Sequence, residues 1–219
     1  LEGPQPYGFH GTHGRTLPVA LGVKMARTDL NVLIVAGDGD FLSIGMEHIA
    51  PAAARNLDVT AVIMDNAVYG LTKGQSSPTT ITGEITSSTP CGKIEEPVNP
   101  LSLYLTLGVS FIASAFSSKV KDMSKMITDA MNHPGFSIVH VQSPCTTYND
   151  NYDILKGNVK KGIQPTIWDI GEDHDPSDFT SAQSVIQKPG IPLGVIYRNE
   201  DKSMHDRLKE MNKNTKEKS

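Results

Sequence analysis

Two glycine-aspartate steps, Gly37-Asp38-Gly39-Asp40, follow an apolar segment and could form a phosphate-binding turn. A carboxylate in such a turn repels phosphate unless a cation lies between them, which makes Asp38 a candidate metal ligand. A second segment supplies further oxygens, the side-chain amide of Asn66 and the main-chain carbonyl of Val68. Because Mg²⁺ prefers oxygen ligands, these three residues predict a magnesium site that bridges the chain to a diphosphate.

Other phosphate-binding motifs fit the sequence poorly. A dinucleotide fingerprint would need a third glycine at position 42, where the chain has Leu42. The pattern G-x-x-x-x-G-K-[ST] of the P-loop does not occur in the sequence. The Asp-Gly steps could also serve only to shape a turn, since such steps are common turn formers.

The elements around these residues predict an α/β fold. The apolar runs 32–36 and 59–64 are typical of central strands that are buried on both faces of a parallel sheet, and 136–141 is a third such run. Helical spacing between the first two strands predicts a helix over 44–57 and a right-handed βαβ unit. Further helices are predicted at 17–26, 100–107 and 118–131, and 73–99 is expected to be a long functional loop.

The two ends of the chain differ in pattern. Residues 1–156 are expected to form the α/β domain, a mainly parallel sheet flanked by helices on both faces. Periodicity fades after residue 157, so 157–219 is expected to be an extension that packs on the domain or on a partner subunit. Its charged end, 200–219, is expected to be a mobile tail that is either solvated or draped on a partner.

Composition excludes several classes of function. The 219 residues carry 20 basic and 24 acidic side chains and a net charge of −4, which gives no electrostatic support for nucleic-acid binding. No apolar run is long enough to span a membrane and no secretory signal is present, so a cytoplasmic location is the default expectation. Two cysteines, Cys91 and Cys145, are too few for a disulfide framework.

Two longer segments carry a family resemblance. Asn66 lies 28 residues after Asp38 and begins Asn66-Ala-Val-Tyr-Gly-Leu-Thr-Lys-Gly-Gln75, and Gly8-Phe-His-Gly-Thr-His-Gly-Arg15 lies upstream. This combination resembles the β subunits of 2-oxoacid:ferredoxin oxidoreductases, which bind thiamine diphosphate and Mg²⁺. The resemblance covers most of the chain, which then lacks the N-terminal segment of the family.

The resemblance implies roles for individual residues. Asp38, Asn66 and Val68 would bind Mg²⁺, and His13 and Lys73 would act in catalysis, with Lys73 facing a substrate carboxylate or coenzyme A. The residues expected around the cofactor are His10, His13, Gly37, Gly39, Asp40, Tyr69, Gly70, Leu71 and Thr72. Without the resemblance, the two histidines could be structural and Lys73 could be a solvated loop residue.

Cys145 matches the last ligand of the family's [4Fe-4S] cluster. A four-cysteine cluster needs three more thiolates, which in the family lie upstream of the region where this chain begins. Cys91 falls where the family usually has an aromatic residue and cannot substitute. The ligand set is therefore incomplete in this chain, and Cys145 could alternatively be an inert buried thiol.

The implied reaction is the oxidative decarboxylation of a 2-oxoacid, 2-oxoglutarate or pyruvate, to an acyl-coenzyme A with electrons passed to ferredoxin. An α subunit, or a fused α/γ subunit, would complete the site. Two alternatives stay open, a thiamine-diphosphate-dependent decarboxylase or synthase subunit without redox chemistry, and a non-catalytic subunit that retains the fold. Neither nucleic acid nor a membrane is expected as a partner.

Overall fold

The computed structural model describes residues 7–216, and the expectations for 1–6 and 217–219 lie outside this range. Six strands are found in it: β1 (Leu33–Gly37), β2 (Val59–Asp65), β3 (Phe111–Phe116), β4 (Phe136–Gln142), β5 (Ile167–Asp169) and β6 (Ile191–Arg198). They form one sheet in the order β1-β2-β4-β3-β6-β5. The pairs β1/β2, β2/β4, β3/β4 and β5/β6 are parallel, and β3/β6 is antiparallel. The expected mainly parallel sheet is confirmed.

Helices cover both faces of this sheet. They are α1 (Thr16–Ala26), α2 (Ile49–Arg55), α3 (Pro100–Thr106), α4 (Val120–Asn132), α5 (Tyr152–Lys156), α6 (Phe179–Gln187) and α7 (Met204–Lys216). One core lies between the sheet and α1, α2, α3 and α6, and a second lies between the sheet and α4. Within residues 7–216, no helix is long and apolar enough to cross a bilayer.

The expectation that β1 is buried on both faces is wrong. It forms an edge of the sheet, and its side chains alternate between buried and exposed positions. Leu33 is 45% exposed and Val35 is 63% exposed. The cause is that α4 contacts β2, β3 and β4 and leaves that face of β1 uncovered by the described residues. By contrast, β2 and β4 are buried on both faces as predicted.

The continuous helix predicted over 44–57 is also wrong in its bounds. A π-helical turn at Asp40–Ile44 and a 3₁₀ turn at Met46–His48 precede the seven residues of α2. The amide of Gly45 donates to the carbonyl of Asp40 at 3.0 Å, which closes the wider π-type turn. Pro51 lies in the first turn of α2, where its missing N–H costs nothing.

The helices predicted at 17–26, 100–107 and 118–131 are confirmed as α1, α3 and α4 with small shifts of their ends. Residues 73–99 contain no helix or strand, as expected for a loop. The strand β3 was missed because Ala113, Ser114 and Ala115 weaken its apolar pattern, although all six of its residues are buried.

The C-terminal part contains more regular structure than its pattern predicts. Pro192 and Gly194 obscure β6, and α6 is capped by Asp178, whose carboxylate accepts from the amides of Thr180 and Ser181. The charged end forms helix α7. The division of the chain at residue 156, and the mobility of the tail, stay predictions.

Asn56 connects α2, β3, β4 and the segment before α7. Its backbone is left-handed, with φ of 48°. Its side-chain oxygen accepts from the Ser110 hydroxyl and the Phe136 amide, both at 2.8 Å. Its side-chain nitrogen donates to the carbonyls of Asp201 at 3.0 Å and Lys202 at 3.3 Å. One buried amide therefore satisfies polar groups from three parts of the chain.

We expect Asn56→Ala to lower the free energy of unfolding by about 3 kcal/mol, because buried partners lose their hydrogen bonds. Asn56→Gly should cost about 1 kcal/mol less than Asn56→Ala, since glycine accepts the left-handed backbone. Urea denaturation measures both values. Asn158→Ala, which removes a cap on a surface turn, is the control and should cost at most about 1 kcal/mol. Equal losses for Asn56→Ala and Asn158→Ala would contradict the assignment.

Candidate cofactor and metal site

The candidate metal ligands meet at the carboxyl ends of two neighbouring strands. Asp38 directly follows β1, and Asn66 directly follows β2. These strands are parallel, with Gly37 opposite Met64, so both ends open at the same edge of the sheet. The main-chain amide of Asn66 donates to the Asp38 carboxylate, with 3.4 Å between the nitrogen and the oxygen. This is the edge at which open α/β sheets bind their ligands.

The turn after β2 presents neutral oxygens beside Asp38. The Asn66 side-chain oxygen accepts from the Val68 amide at 3.0 Å, and the intervening Ala67 is left-handed with φ of 55°. Within residues 7–216 no hydrogen bond reaches the Val68 carbonyl oxygen. Next to this turn, a Cβ built on Gly70 would meet nothing closer than the Asn66 amide nitrogen at 3.8 Å.

These residues fit a magnesium-diphosphate group. They combine the Asp38 carboxylate, the side-chain oxygen of Asn66 and the main-chain carbonyl of Val68. No residue in the range 7–216 donates a hydrogen bond to the Val68 carbonyl, and open space lies beside it at Gly70. In the described part of the chain, no three His, Cys, Asp or Glu side chains are grouped to hold a metal. The candidate site therefore depends on neutral oxygens beside a single charged ligand.

Burial changes the acid strength of Asp38. The residue is 1% exposed. Burial, and secondarily the charge of nearby Asp65, raises the pKa of Asp38 to about 6, although hydrogen bonds from Ser77, Thr79 and the Asn66 amide oppose the change. A bound cation would favour the charged carboxylate, which this environment otherwise disfavours.

Asp65 lies in the same interior but is paired. Its carboxylate contacts the His140 ring at 2.8 Å, and the other His140 nitrogen lies 3.2 Å from the Tyr104 hydroxyl. Burial alone would raise the pKa of Asp65, but hydrogen bonding and the charge of His140 lower it below the usual value. For Tyr104, burial and then the charge of Asp65 raise the pKa well above the ordinary value. Asp65 is therefore the carboxylate that the protein itself stabilises.

Asp40 has a different role from Asp38. Its carboxylate accepts from the Gly14 amide at 2.7 Å and lies 2.5 Å from the His13 ring nitrogen. The His13 side chain is half exposed, and its ring meets that of Tyr69 edge-on with 6.0 Å between centroids. Asp40 thus orients His13 at the rim of the site. The roles of both residues at the cofactor stay predictions.

Gly39 allows the close approach of Tyr69. The Tyr69 hydroxyl donates to the Gly39 carbonyl at 3.0 Å, and a Cβ on Gly39 would overlap the tyrosine ring. The glycine is in an ordinary helical conformation, so it is required here for space.

The segment from Tyr69 to Gln75 forms a small exposed turn beside the site. The Tyr69 amide donates to the Gln75 carbonyl at 2.9 Å, which closes the turn. Lys73 is exposed at its tip, with φ of 76°. A lysine rarely adopts this conformation, which is strained by roughly 1–3 kcal/mol. Leu71 is 98% exposed, and Thr72 is exposed as well.

The segment that carries Cys145 lies against the same turn. The Asn149 side chain donates to the Asn66 carbonyl at 3.0 Å, and the Ser143 amide donates to the Asp65 carbonyl at 2.7 Å. A Cβ on Gly74 would come within 3.0 Å of the Tyr148 ring. Cys145 is half-buried with a free thiol. These contacts hold the cysteine-bearing loop beside the candidate cofactor site.

The structure brings together Asp38, Asn66 and Val68, and it groups Asp40, His13 and Tyr69 at one rim. His10 is exposed on the segment before His13, and Cys91 is exposed in the long loop. Sequence reasoning missed Thr79 and the His140–Tyr104 pair. A histidine within an otherwise apolar strand was a signal for His140. The sequence gives no comparable signal for Thr79.

Two family models match the chain. Residues 3–141 match "Thiamine pyrophosphate enzyme, C-terminal TPP binding domain". Residues 145–213 match the model of the C-terminal part of the pyruvate ferredoxin oxidoreductase β subunit.

The chain is also similar in sequence to individual proteins. The chain is 38% identical over 207 residues to the β subunit of 2-oxoacid:ferredoxin oxidoreductase 1 from Aeropyrum pernix, covering 91% of this chain and 65% of that protein. It is 42% identical over 192 residues to 2-oxoglutarate oxidoreductase subunit KorB from Mycobacterium tuberculosis, covering 87% of this chain and 51% of the relative. The chain therefore spans between half and two thirds of the length of these relatives.

A solved structure is also similar. The 2-oxoglutarate:ferredoxin oxidoreductase from Magnetococcus marinus, with 2-oxoglutarate, coenzyme A and succinyl-CoA bound, superposes with a TM-score of 0.87 at 38% identity. The match covers 93% of this chain and 68% of that chain. With this agreement of sequence and fold, the chain belongs to the family of thiamine-pyrophosphate-binding β subunits of 2-oxoacid:ferredoxin oxidoreductases.

Proposed function

We propose that this chain binds thiamine diphosphate and Mg²⁺ as part of an enzyme that oxidatively decarboxylates a 2-oxoacid to an acyl-coenzyme A and CO₂, passing electrons to ferredoxin. The observation that carries the proposal is the convergence of Asp38, Asn66 and Val68 at the ends of neighbouring parallel strands. Family membership supports the assignment of the cofactor.

The proposed task of these residues is to hold and orient the cofactor. When bound, thiamine diphosphate supplies a carbon nucleophile and an electron sink for the loss of CO₂. Asp38, Asn66 and Val68 would hold the metal, while open space at Gly70 admits the diphosphate. His13, fixed by Asp40, would position the cofactor from the rim.

We propose a 2-oxoacid and coenzyme A as substrates, with 2-oxoglutarate favoured over pyruvate. The similar Magnetococcus enzyme contains 2-oxoglutarate and coenzyme A, and the Mycobacterium relative is named for 2-oxoglutarate. Both substrates are anionic. The ammonium group of Lys73, exposed beside the site on a strained backbone, offers a counter-charge.

Cys145 is proposed as a ligand of a [4Fe-4S] cluster that carries electrons to ferredoxin. Its loop contacts the turn of Asn66 directly, which would keep the cluster near the cofactor. This sequence contains only two cysteines, so other cluster ligands must come from outside it.

An α subunit, separate or fused with a γ subunit, is proposed to complete the active site. Apolar side chains beside the site are exposed, with Leu71 in the turn next to it at 98% and Phe9, on the segment before His13, at 76%. Exposed apolar side chains beside a polar site are typical of surfaces that a partner protein covers.

Replacing Asp38 by asparagine tests the metal assignment. In the assembled complex, we expect Asp38→Asn to weaken Mg²⁺-dependent binding of thiamine diphosphate more than about 100-fold, because the charged ligand is lost. The metal-free variant should be as stable as the parent or up to roughly 3 kcal/mol more stable, since a disfavoured buried charge disappears.

Isothermal titration calorimetry and thermal unfolding measure the two effects. Asp29→Asn, on an exposed carboxylate paired with Arg27, is the control and should change neither. Unchanged cofactor affinity in Asp38→Asn would refute the magnesium site.

Lys73 variants test the counter-charge. Lys73→Ala should raise the KM for coenzyme A or the 2-oxoacid about tenfold while changing cofactor affinity little, because one charge-assisted contact is lost. Lys73→Gly should raise the KM equally but stabilise the fold by about 1 kcal/mol, since glycine relieves the strained backbone. Lys73→Arg should retain most of the activity.

Steady-state kinetics with each substrate varied in turn measure these values. Lys125→Ala, on the exposed face of α4, is the control. Equal weakening of the cofactor and both substrates by Lys73→Ala would argue for a loss of structure instead.

A serine pair tests the cluster ligand. Cys145→Ser should lower the rate of ferredoxin reduction and the iron content of the complex, because serine is a poor ligand for a soft iron-sulfur cluster. Cys91→Ser, at an exposed loop thiol, should leave both unchanged. Iron analysis and reduction assays give the result, and identical iron content in the two variants would exclude Cys145 as a ligand.

A further inference from the structure

The Thr79 hydroxyl lies between two buried carboxylates. Its oxygen is 2.9 Å from the Oδ2 atom of Asp38 and 2.7 Å from the Oδ1 atom of Asp65. A hydroxyl carries one proton and can donate to only one of them at a time. Thr79 is therefore the point at which the candidate metal ligand and its neighbouring carboxylate are connected.

The two carboxylates differ in what else supports them. Asp65 also accepts from the Ala67 amide at 2.9 Å and contacts His140 at 2.8 Å. Asp38 has the Asn66 main-chain amide at 3.4 Å, a long and weak hydrogen bond, and it also interacts with the Ser77 side chain, whose hydroxyl lies 3.3 Å from that of Thr79. Of the contacts from Thr79 and from the Asn66 amide, the one from Thr79 is the shorter at 2.9 Å, and Ser77 belongs to the same turn, so this turn fixes the direction of the Asp38 carboxylate chiefly through Thr79.

The position of Thr79 is itself fixed by a buried turn. The Ser77 amide donates to the Thr80 hydroxyl at 2.7 Å, and that hydroxyl donates to the Ala67 carbonyl at 2.6 Å. Ser77 and Thr80 are 2% and 1% exposed. Since Ala67 stands between Asn66 and Val68, this turn supports all three candidate ligands.

We propose that Thr79 is a positioning residue of the magnesium site, which holds the Asp38 carboxylate in the orientation that binds the metal. This inference rests on the proposed function, because it assumes that Asp38 binds Mg²⁺. Asp65, paired with His140 and Tyr104, is the fixed support on the other side of the hydroxyl. Removing a partner that orients a metal ligand typically weakens metal binding by about 10–100-fold.

The test compares Thr79→Val, which keeps the shape of the side chain, with Thr79→Ser, which keeps the hydroxyl. The concentration of Mg²⁺ that gives half-maximal thiamine diphosphate binding is measured by calorimetry in the assembled complex. We expect this concentration to rise about tenfold or more in Thr79→Val and to stay within about threefold in Thr79→Ser. At saturating Mg²⁺, the affinity of both variants for the cofactor should approach that of the parent.

Thr82→Val is the matched control, because its hydroxyl in the same loop donates to the Glu95 carbonyl at 3.1 Å, away from the candidate ligands. It should leave the Mg²⁺ requirement unchanged. If Thr79→Val does not fold, Thr79→Ala is compared with Thr79→Ser in the same titration.

Three results would overturn the inference. The first is an unchanged Mg²⁺ requirement in Thr79→Val. The second is a Mg²⁺ requirement in Thr79→Ser as high as that in Thr79→Val. The third is a loss of cofactor affinity in Thr79→Val that saturating Mg²⁺ does not correct. The last result would indicate a structural role. If the parent complex binds thiamine diphosphate without Mg²⁺, the proposed metal site itself fails, and the two failures are thereby distinguished.

Discussion

The burial of two carboxylates side by side is the constraint on which this site depends. Asp38 and Asp65 are 1% and 6% exposed, and the Thr79 hydroxyl oxygen lies 2.9 Å from the first and 2.7 Å from the second. Like charges in a medium of low dielectric destabilise each other, and each also loses its hydration. The fold must therefore supply positive charge or hydrogen-bond donors to one or both of them.

The fold supplies more of these partners to Asp65 than to Asp38, and the order of the strands explains the difference. Central strand β4 pairs with β2, so that His140 lies beside the end of β2, and α3 carries Tyr104 to the far side of the imidazole. This pair serves Asp65. The opposite directions of the two pKa changes follow from this difference, because Asp38 shares the burial but has no cationic partner among residues 7–216. A bound cation would complete the arrangement around Asp38.

The sequence was sufficient to predict the parts of the site that follow from local pattern and sheet topology. Two apolar runs with acidic and amide residues at their ends predict that Asp38 and Asn66 meet, since the carboxyl ends of parallel strands share an edge. Thr79 could not be found in this way. Its contacts depend on how a long polar loop folds back, which no periodicity records.

The wrong predictions about the fold have the same cause, because they also concern tertiary contacts that local pattern does not record. Whether β1 is central or at an edge depends on which face α4 covers, and this is a property of the tertiary structure. The residues of β3 are small and therefore give little apolar signal in the sequence. They can be small because larger side chains of neighbouring elements fill the core around them. Local pattern thus predicts regular segments whose apolar signal is strong, such as β2 and β4, and misses those whose burial depends on neighbouring elements, such as β3.

The two aspartates of the Gly37–Asp40 turn show how local geometry divides chemically identical side chains. Were β1 to continue, residues two apart would point to the same face. Instead the chain becomes helical at Asp38, and successive residues then rotate by about 100°, so that two positions turn a side chain roughly half-way round. Asp38 consequently faces Asp65 in the interior, while Asp40 faces Gly14 and His13 at the rim. The transition from strand to helix after Gly37 therefore separates the candidate metal-binding carboxylate from one that anchors the preceding segment of the chain.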